Sequence, residues 1–230
     1  MVGLTSARAE SADRDAGAAL ARYVATGASQ SREWATEAVN IEASIPRLAK
    51  QGSLRAIRRL LPFGKPEYQV LQINGDEMVR HQVIARYLSA EGGAEALPEQ
   101  SVAITPANYR FRYRGRATEG GGADAYIFDI TPHKKRAGLI RGQLWVDAAS
   151  GMAVRLTGYL VKRPSIFVRR INITRDTYLQ SGTAYARITQ VAIDTRLVGR
   201  ADLTVTEWPY SGPSLGTSAA EGAAEGPAIH

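Results

Sequence analysis

The sequence contains no cysteine, which excludes disulfide bonds, zinc–thiolate sites and cysteine nucleophiles. It also has no apolar run close to the roughly 18 residues that a membrane-spanning helix needs. The opening residues, from Met1 to Ser11, include no apolar segment of signal-peptide length. We therefore expect either a cytoplasmic chain or an exported one that is written without its signal.

Recognisable catalytic and metal-binding motifs are missing as well. The three histidines, His81, His133 and His230, show no metal-ligand spacing. There is no Gly-x-Ser-x-Gly elbow and no dinucleotide fingerprint, and the glycines at 120–122 are followed by no Lys-Ser/Thr pair. The aspartates on or near predicted strands are expected to balance arginines; these are Asp129, Asp147, Asp176 and Asp194. We therefore predict that the chain is not an enzyme and that it holds neither a metal nor a cofactor.

The composition is that of an ordinary globular protein with a basic surplus. The 230 residues are 44% apolar and 22% charged, with a net charge of +7 and a pI of about 9.8. Such a charge permits anionic partners, including nucleic acid, an acidic lipid surface or an acidic protein. Because the surplus is spread along the whole chain, an arginine-rich outer face is the simpler interpretation.

The chain divides into a flexible lead at residues 1–12, one domain at 13–210 and a disordered tail at 211–230, which is rich in Gly, Ser, Ala and Glu. Within the domain, apolar spacing predicts a helix at about 16–26 and a second one from Asp76 to about Glu91. Alternation with a period of two, separated by hairpin turns, predicts antiparallel strands. These lie at 37–45, 54–61, 68–73, 108–116, 125–132, 139–147, 152–161, 166–179 and 183–206, the last with a bulge or bend at Gly199.

The most regular strand alternates aromatic and basic residues. Side chains on a strand point to opposite faces in turn. The aromatic residues Tyr109, Phe111 and Tyr113 are therefore expected on one face, and the basic residues Arg110, Arg112, Arg114 and Arg116 on the other. A nucleic-acid platform needs both kinds on one surface, so this segregation argues against nucleic acid. Instead it indicates an apolar inner face and an arginine-covered outer face.

Two helices cannot readily cover a sheet of about nine strands. The sheet is therefore either closed on itself or left with an open apolar groove. The fold class is α+β and mainly antiparallel β, with an apolar face that must find a cover.

Several motifs resemble the LolA/LolB-like superfamily of bacterial envelope proteins, which includes outer-membrane lipoprotein-sorting proteins and related lipid carriers. They are the strand Tyr126–Pro132, the charged hairpin tip after it, the strand Gly142–Asp147, the turn Ser150-Gly151 and the next strand Met152–Leu156. The resemblance covers residues of about 37–208. It implies a strongly curved, incomplete β-barrel whose concave face is covered by two or more helices.

The resemblance also implies a function. Family members take a lipid or a lipoprotein acyl chain in an apolar groove between sheet and helices, so lipoprotein sorting or lipid carriage in the periplasm is expected, by a monomer without a lipid-anchor cysteine. The residues predicted to line the groove, each with core packing as the alternative, are Tyr109, Phe111, Tyr113, Tyr126, Phe128, Leu144, Val146 and Leu156.

Two other functions stay open at the level of the sequence. One is an envelope protein-interaction or stress-sensing module with the same fold, whose groove is filled by its own side chains. The other is a basic nucleic-acid-binding protein, for which affinity would fall steeply with salt.

Overall fold

Ten antiparallel strands form one continuous sheet in the computed structural model, which describes residues 3–30, 34–60, 66–92, 97–118 and 124–212. The strands are β1 (Thr36–Ile45), β2 (Lys50–Leu60), β3 (Pro66–Gly75), β4 (Tyr109–Thr118), β5 (Asp124–Pro132), β6 (Ile140–Asp147), β7 (Ala153–Leu160), β8 (Val168–Gln180), β9 (Thr183–Thr195) and β10 (Arg200–Pro209). Their order across the sheet is β3-β2-β1-β10-β9-β8-β7-β6-β5-β4.

The sheet is an open barrel, because β3 and β4 are its two edges and do not pair with each other. This confirms the predicted curved, incomplete barrel, with ten strands where about nine were expected. The difference lies at 183–206, where the sequence predicts one long strand with a bulge or bend and the structure has the two strands β9 and β10. Gly199 has a φ of +82°, and the Thr195 amide donates to its carbonyl at 2.8 Å, so the chain reverses there into a hairpin.

Glycines allow the sheet to bend between β6 and β7. Gly142 and Gly158 are direct cross-strand partners. A Cβ on Gly142 would run into the Thr157 carbonyl oxygen, and one on Gly158 into the Arg141 carbonyl oxygen. The two backbones therefore approach more closely here than any side chain would permit, which is the usual role of glycine at a sharp bend in a sheet.

Both predicted helices are present and lie on the same face of the sheet. The helical elements are α1 (Gly3–Gln30), a 3₁₀ turn (Pro46–Leu48), α2 (Glu77–Val79), a π-helical turn (Arg80–Ile84), α3 (Ala85–Gly92) and α4 (Glu99–Val102). Asp76 caps the 77–92 segment as expected, because its carboxylate accepts from the Met78 amide at 2.8 Å.

Two predictions concern the ends of the chain, namely a flexible lead at 1–12 and a disordered tail at 211–230. Helix α1 begins at Gly3 and so includes part of the segment at 1–12 that was expected to be flexible; its flexibility stays a prediction. Nearly all of the tail predicted at 211–230 lies outside the described residues.

Two separate cores lie on the helix-bearing side, which we call the concave face. The first is formed by β1, β2 and β10 with the 77–92 segment, and it contains Ile41, Leu54 and Ile84. The second is formed by α1 and β4–β7. Each helical segment therefore covers one flank of the sheet.

The predicted segregation on β4 holds only as far as Arg114. Tyr109 is buried and Phe111 and Tyr113 are half-buried, while the arginines between them are exposed. A bulge between Tyr113 and Gly115 then shifts the register by one residue. Arg116 consequently turns to the aromatic side, where its guanidinium lies 5.6 Å from the centre of the Tyr126 ring. Its assignment to the outer face was wrong, because the period of two does not reveal a bulge.

Candidate functional site

One row of cross-strand partners crosses the concave face through all ten strands. The strand registers place these residues side by side: Ile73, Leu54, Ile41, Val205, Thr189, Arg175, Leu156, Leu144, Phe128 and Tyr113. All but two of them are apolar or aromatic. The exceptions are Thr189 and Arg175, which lie on β9 and β8 in the centre of the row.

The flanks of this row are closed by the helices. On one side, Val79, Val83 and Ile84 of the 77–92 segment are buried against β1, β2 and β10. On the other side, Ala16, Ala19 and Tyr23 of α1 are buried against β4–β7. The alanines let the helix backbone approach the sheet closely, so little space remains beneath α1.

The centre of the sheet is covered less well, although Val191 and Ile193 on β9 pack against the edge of the first core. None of the residues of β8 is buried, although β8 is an interior strand with a neighbour on each side. The side chains that share the concave face here form what we call the central trough: Ile171, Ile173 and Arg175 on β8 with Thr189, Val191 and Ile193 on β9. Four of these six are aliphatic, and only Thr189 is buried. The trough is therefore an apolar strip with a cationic end.

Arg175 is the charged residue of the trough. Its Nε donates to the Thr189 hydroxyl at 3.0 Å, and it makes no ion pair with any residue in the described part of the chain. An exposed guanidinium beside an apolar strip has donors left for an anionic group, since the planar fork carries five N–H bonds.

A compensated charge cluster borders the trough on the side of Arg187. Arg58 bonds the Glu37 carboxylate and lies 2.7 Å from a carboxylate oxygen of Glu207. Arg187 lies 3.9 Å from the other oxygen of Glu207, and its guanidinium is 5.0 Å from the centre of the Trp34 ring. These two acids and two bases sum to zero charge, so Arg175 supplies the uncompensated positive charge in this region.

Burial controls how the cluster titrates. Desolvation raises the pKa of the Glu37 carboxyl, although the Arg58 guanidinium acts in the opposite direction. Desolvation lowers the pKa of Arg187, and the positive charge of Arg175 lowers it further. The second effect places Arg175 within electrostatic reach of the cluster.

The residues predicted to line a groove lie together, but beneath α1. Six of them are buried in the second core: Tyr109, Tyr126, Phe128, Leu144, Val146 and Leu156. Phe111 and Tyr113 are half-buried and contact the Phe128 ring at centroid distances of 6.5 and 5.9 Å. The hydroxyl of Tyr109 accepts from the Ile140 amide at 3.0 Å. Contact of these residues with a ligand stays a prediction.

The trough residues were missed, although the segment of β8 was predicted as a strand and that of β9 as the first part of one long strand. Ile171 and Ile173 are followed on the same face by Arg175, so neither side of β8 is apolar throughout. The interrupted pattern is itself the available signal, because a cation at an inward-facing position breaks the apolar alternation that the neighbouring strands show.

The described residues include no cluster of three or more His, Cys, Asp or Glu that could hold a metal ion. His81 and His133 are both exposed, and a ring nitrogen of His133 lies 3.0 Å from the Pro106 carbonyl oxygen. His230 lies outside the described residues. Within the described ranges, every helix is too short or too polar to cross a membrane.

Two solved structures match the chain, both at low sequence identity. A LolA superfamily protein from Nitrosomonas europaea matches with a TM-score of 0.31 and 11% identity, over 77% of this chain and 86% of that one. A DUF1329 family protein from Desulfovibrio piger matches with a TM-score of 0.38 and 10% identity, over 87% of this chain and 95% of that one. Neither a protein-family model nor a curated protein sequence matches the chain.

Proposed function

We propose that this is a non-catalytic binding protein that holds a lipid or a lipoprotein acyl chain on its concave face. The observation that carries the proposal is the half-buried central trough, where four aliphatic side chains lead to an arginine that forms no ion pair with the described residues. The aliphatic strip takes the hydrocarbon, and Arg175 takes an anionic head group.

The energetics of such a site agree with the shape of the trough. Burial of a hydrocarbon chain contributes about 0.8 kcal/mol per methylene and needs no directed polar group. The strip from Ile171 to Arg175 is roughly 13 Å long at the usual rise of a strand. A hydrogen bond between charged groups adds about 1.5–3 kcal/mol at its end, so Arg175 selects for acidic amphiphiles.

Helix α1 is proposed to be a removable cover over the rest of the groove. Its buried contacts are made by two alanines and Tyr23, and Leu20 and Val24 add half-buried contacts. A hydrogen bond of 2.7 Å joins Arg22 to the Ala148 carbonyl. Small side chains bury little apolar area, so detachment of α1 costs less than detachment of a leucine-rich helix would. A longer ligand that displaced α1 would continue from the trough onto Leu156, Leu144 and Phe128.

The setting of this function follows the resemblance. A monomeric carrier of lipids or lipoproteins in the periplasm, with a part in outer-membrane lipoprotein sorting, is the expected role. An envelope protein that delivers or receives the cargo is the corresponding partner.

The proposal is tested with lipid extraction and a matched pair of ligands. Purified protein is extracted with organic solvent and the extract is analysed by mass spectrometry; binding of dodecyl phosphate and of dodecanol is then measured by calorimetry. We expect co-purified lipid, and Arg175→Leu should weaken dodecyl phosphate binding by about 10- to 100-fold with little effect on dodecanol. Arg86→Leu, at an exposed helical position, is the control. No lipid in the extract together with no binding of either ligand would overturn the proposal.

A second candidate function is favoured by one observation. Six of the eight predicted groove residues are buried against α1, as expected for an interaction or stress-sensing module whose groove is filled by its own side chains. Such a module binds an envelope protein instead of a lipid. A partner recovered with the wild-type protein, without any lipid in the extract, would favour this function over the first.

A further inference from the structure

Four loops meet at one end of the barrel. The hairpins β1–β2, β5–β6, β7–β8 and β9–β10 all reverse at this end, because their strands alternate in direction. The loops occupy residues 46–49, 133–139, 161–167 and 196–199. The backbone ties two of them together, since the Arg196 amide donates to the Phe167 carbonyl at 2.9 Å. We call this end the basic rim.

The four hairpin loops of the basic rim carry charge of one sign, and the acids Asp76 and Glu77 at this end belong to the segment that follows β3. The four loops contain no aspartate or glutamate. They contain seven lysines and arginines: Arg47, Lys134, Lys135, Arg136, Lys162, Arg163 and Arg196. The seven cations equal the net charge of the whole chain, +7, so the overall surplus is concentrated here even though it is spread along the sequence.

Large apolar side chains project from the same loops. Ile166 is 77% exposed, Phe167 53% and Leu197 72%, which are the highest values among the large hydrophobic side chains described. An open cavity of about 690 Å³ lies between the β7–β8 loop, Lys135 and Arg196. Apolar tips surrounded by cations are unusual on a water-exposed surface, where such side chains lose the gain of burial.

The opposite end of the barrel lacks both features in its described turns. Residues 148–152 and 181–182 contain no lysine or arginine. The large apolar residue among them, Met152, is only 9% exposed and packs against Trp34. Among the described turns, the cations and the exposed apolar tips therefore occur together and at one end.

We propose that the basic rim docks the protein on an anionic lipid bilayer. The lysines and arginines face the acidic head groups, and Ile166, Phe167 and Leu197 enter the interface between head groups and acyl chains. Each cation close to such a surface strengthens binding about fivefold, and buried apolar tips add to this. Nucleic acid would use the same charges, but Ile166 and Leu197 gain from an apolar phase and offer no ring on which a base can stack.

This surface is distinct from the central trough, and docking needs no uptake of lipid. Ile171 and Ile193 form the end of the trough nearest the rim, because they are the trough residues closest to the loops. A protein docked in this way would therefore present the apolar end of the trough to the bilayer.

The first test is flotation of the full chain with vesicles. Vesicles of phosphatidylcholine with about 30% phosphatidylglycerol are compared with pure phosphatidylcholine, at low and high salt. We expect binding to the anionic vesicles only, falling as salt screens the charges. Lys162→Gln with Arg163→Gln should weaken it about 30-fold, and Ile166→Ser with Phe167→Ser by at least tenfold. The controls are Arg86→Gln and Leu71→Ser, which change an exposed cation and an exposed apolar side chain elsewhere.

The second test locates the contact and does not depend on affinity alone. Because the chain has no cysteine, Ser165→Cys carries an environment-sensitive dye at the rim, and Ala149→Cys carries it at the opposite end. With anionic vesicles, the Ser165→Cys label should shift to shorter wavelength and the Ala149→Cys label should not. Absence of vesicle binding, equal loss in the control variants, equal shifts at both labels, or loss of vesicle binding to competing duplex DNA would each overturn the proposal.

Discussion

The α1-covered flank and the central trough belong to the same face of the same sheet, yet they differ in what lies above them. Leu156, Leu144 and Phe128 are neighbours of Arg175 in one cross-strand row, but they are buried under α1 whereas Arg175 is exposed. The difference shows that an apolar strand face does not by itself define a binding groove. What decides is where the helices lie, and here they leave β8 uncovered.

The largest expected difference between the two regions concerns folding stability. Leu144→Ala removes a fully buried side chain beneath α1 and should lower the free energy of unfolding by about 2–5 kcal/mol. Ile173→Ala acts in the half-buried trough and should cost roughly 1 kcal/mol. Urea denaturation measures both. Equal losses would mean that the trough is as well packed as the flank.

A smaller effect is expected from the glycines that shape the sheet. Gly142→Ala forces a Cβ against the Thr157 carbonyl and should destabilise the protein by about 1–3 kcal/mol. Gly17→Ala should have the opposite sign, because Gly17 is exposed within α1 and a Cβ there meets nothing within 4 Å; a gain of about 0.5–1 kcal/mol is expected. Thermal unfolding monitored by circular dichroism measures both changes in stability. A stabilised Gly142→Ala variant or a destabilised Gly17→Ala variant would contradict the expectation.

The smallest effect is a pH dependence of folding stability that arises in the α1-covered flank. Burial raises the pKa of the Tyr23 phenol, and nearby Tyr109 raises it further. A pKa that is higher in the folded state stabilises the fold fully below the unfolded value of about 10 and loses this contribution above it. Stability should therefore fall above pH 10, and less so in Tyr23→Phe. Urea titrations at pH 9 and pH 11 test this; an unchanged pH dependence in the variant would contradict it.

Local patterns predicted most of the fold. The alternation of apolar residues identified the strands, and Asp76 with the following apolar stripe identified the second helix. The hairpin at Gly199 and the bulge near Gly115 were not predicted. Each depends on the local backbone conformation and leaves the number of apolar residues in the segment unchanged. A one-residue shift of register is enough to move Arg116 to the other face.

The candidate site was harder to predict than the fold. Tyr109, Phe128 and Leu144 were correctly placed together by their alternation, since cross-strand neighbours follow from strand order. Their burial depends on where α1 docks, and sequence periodicity does not contain that information. The position of Arg175 between Thr189 and Leu156 on the concave face follows only from the strand registers.

Methyl NMR of the isoleucines reports directly on whether an acidic amphiphile binds in the central trough. Isoleucine-labelled protein is titrated with dodecyl phosphate, and methyl resonances are followed by NMR. The resonances of Ile171, Ile173 and Ile193 should shift in a saturable manner, while those of Ile41, Ile45 and Ile84 in the first core should stay in place. Shifts confined to those core residues, or none in the trough at saturating ligand, would contradict the account.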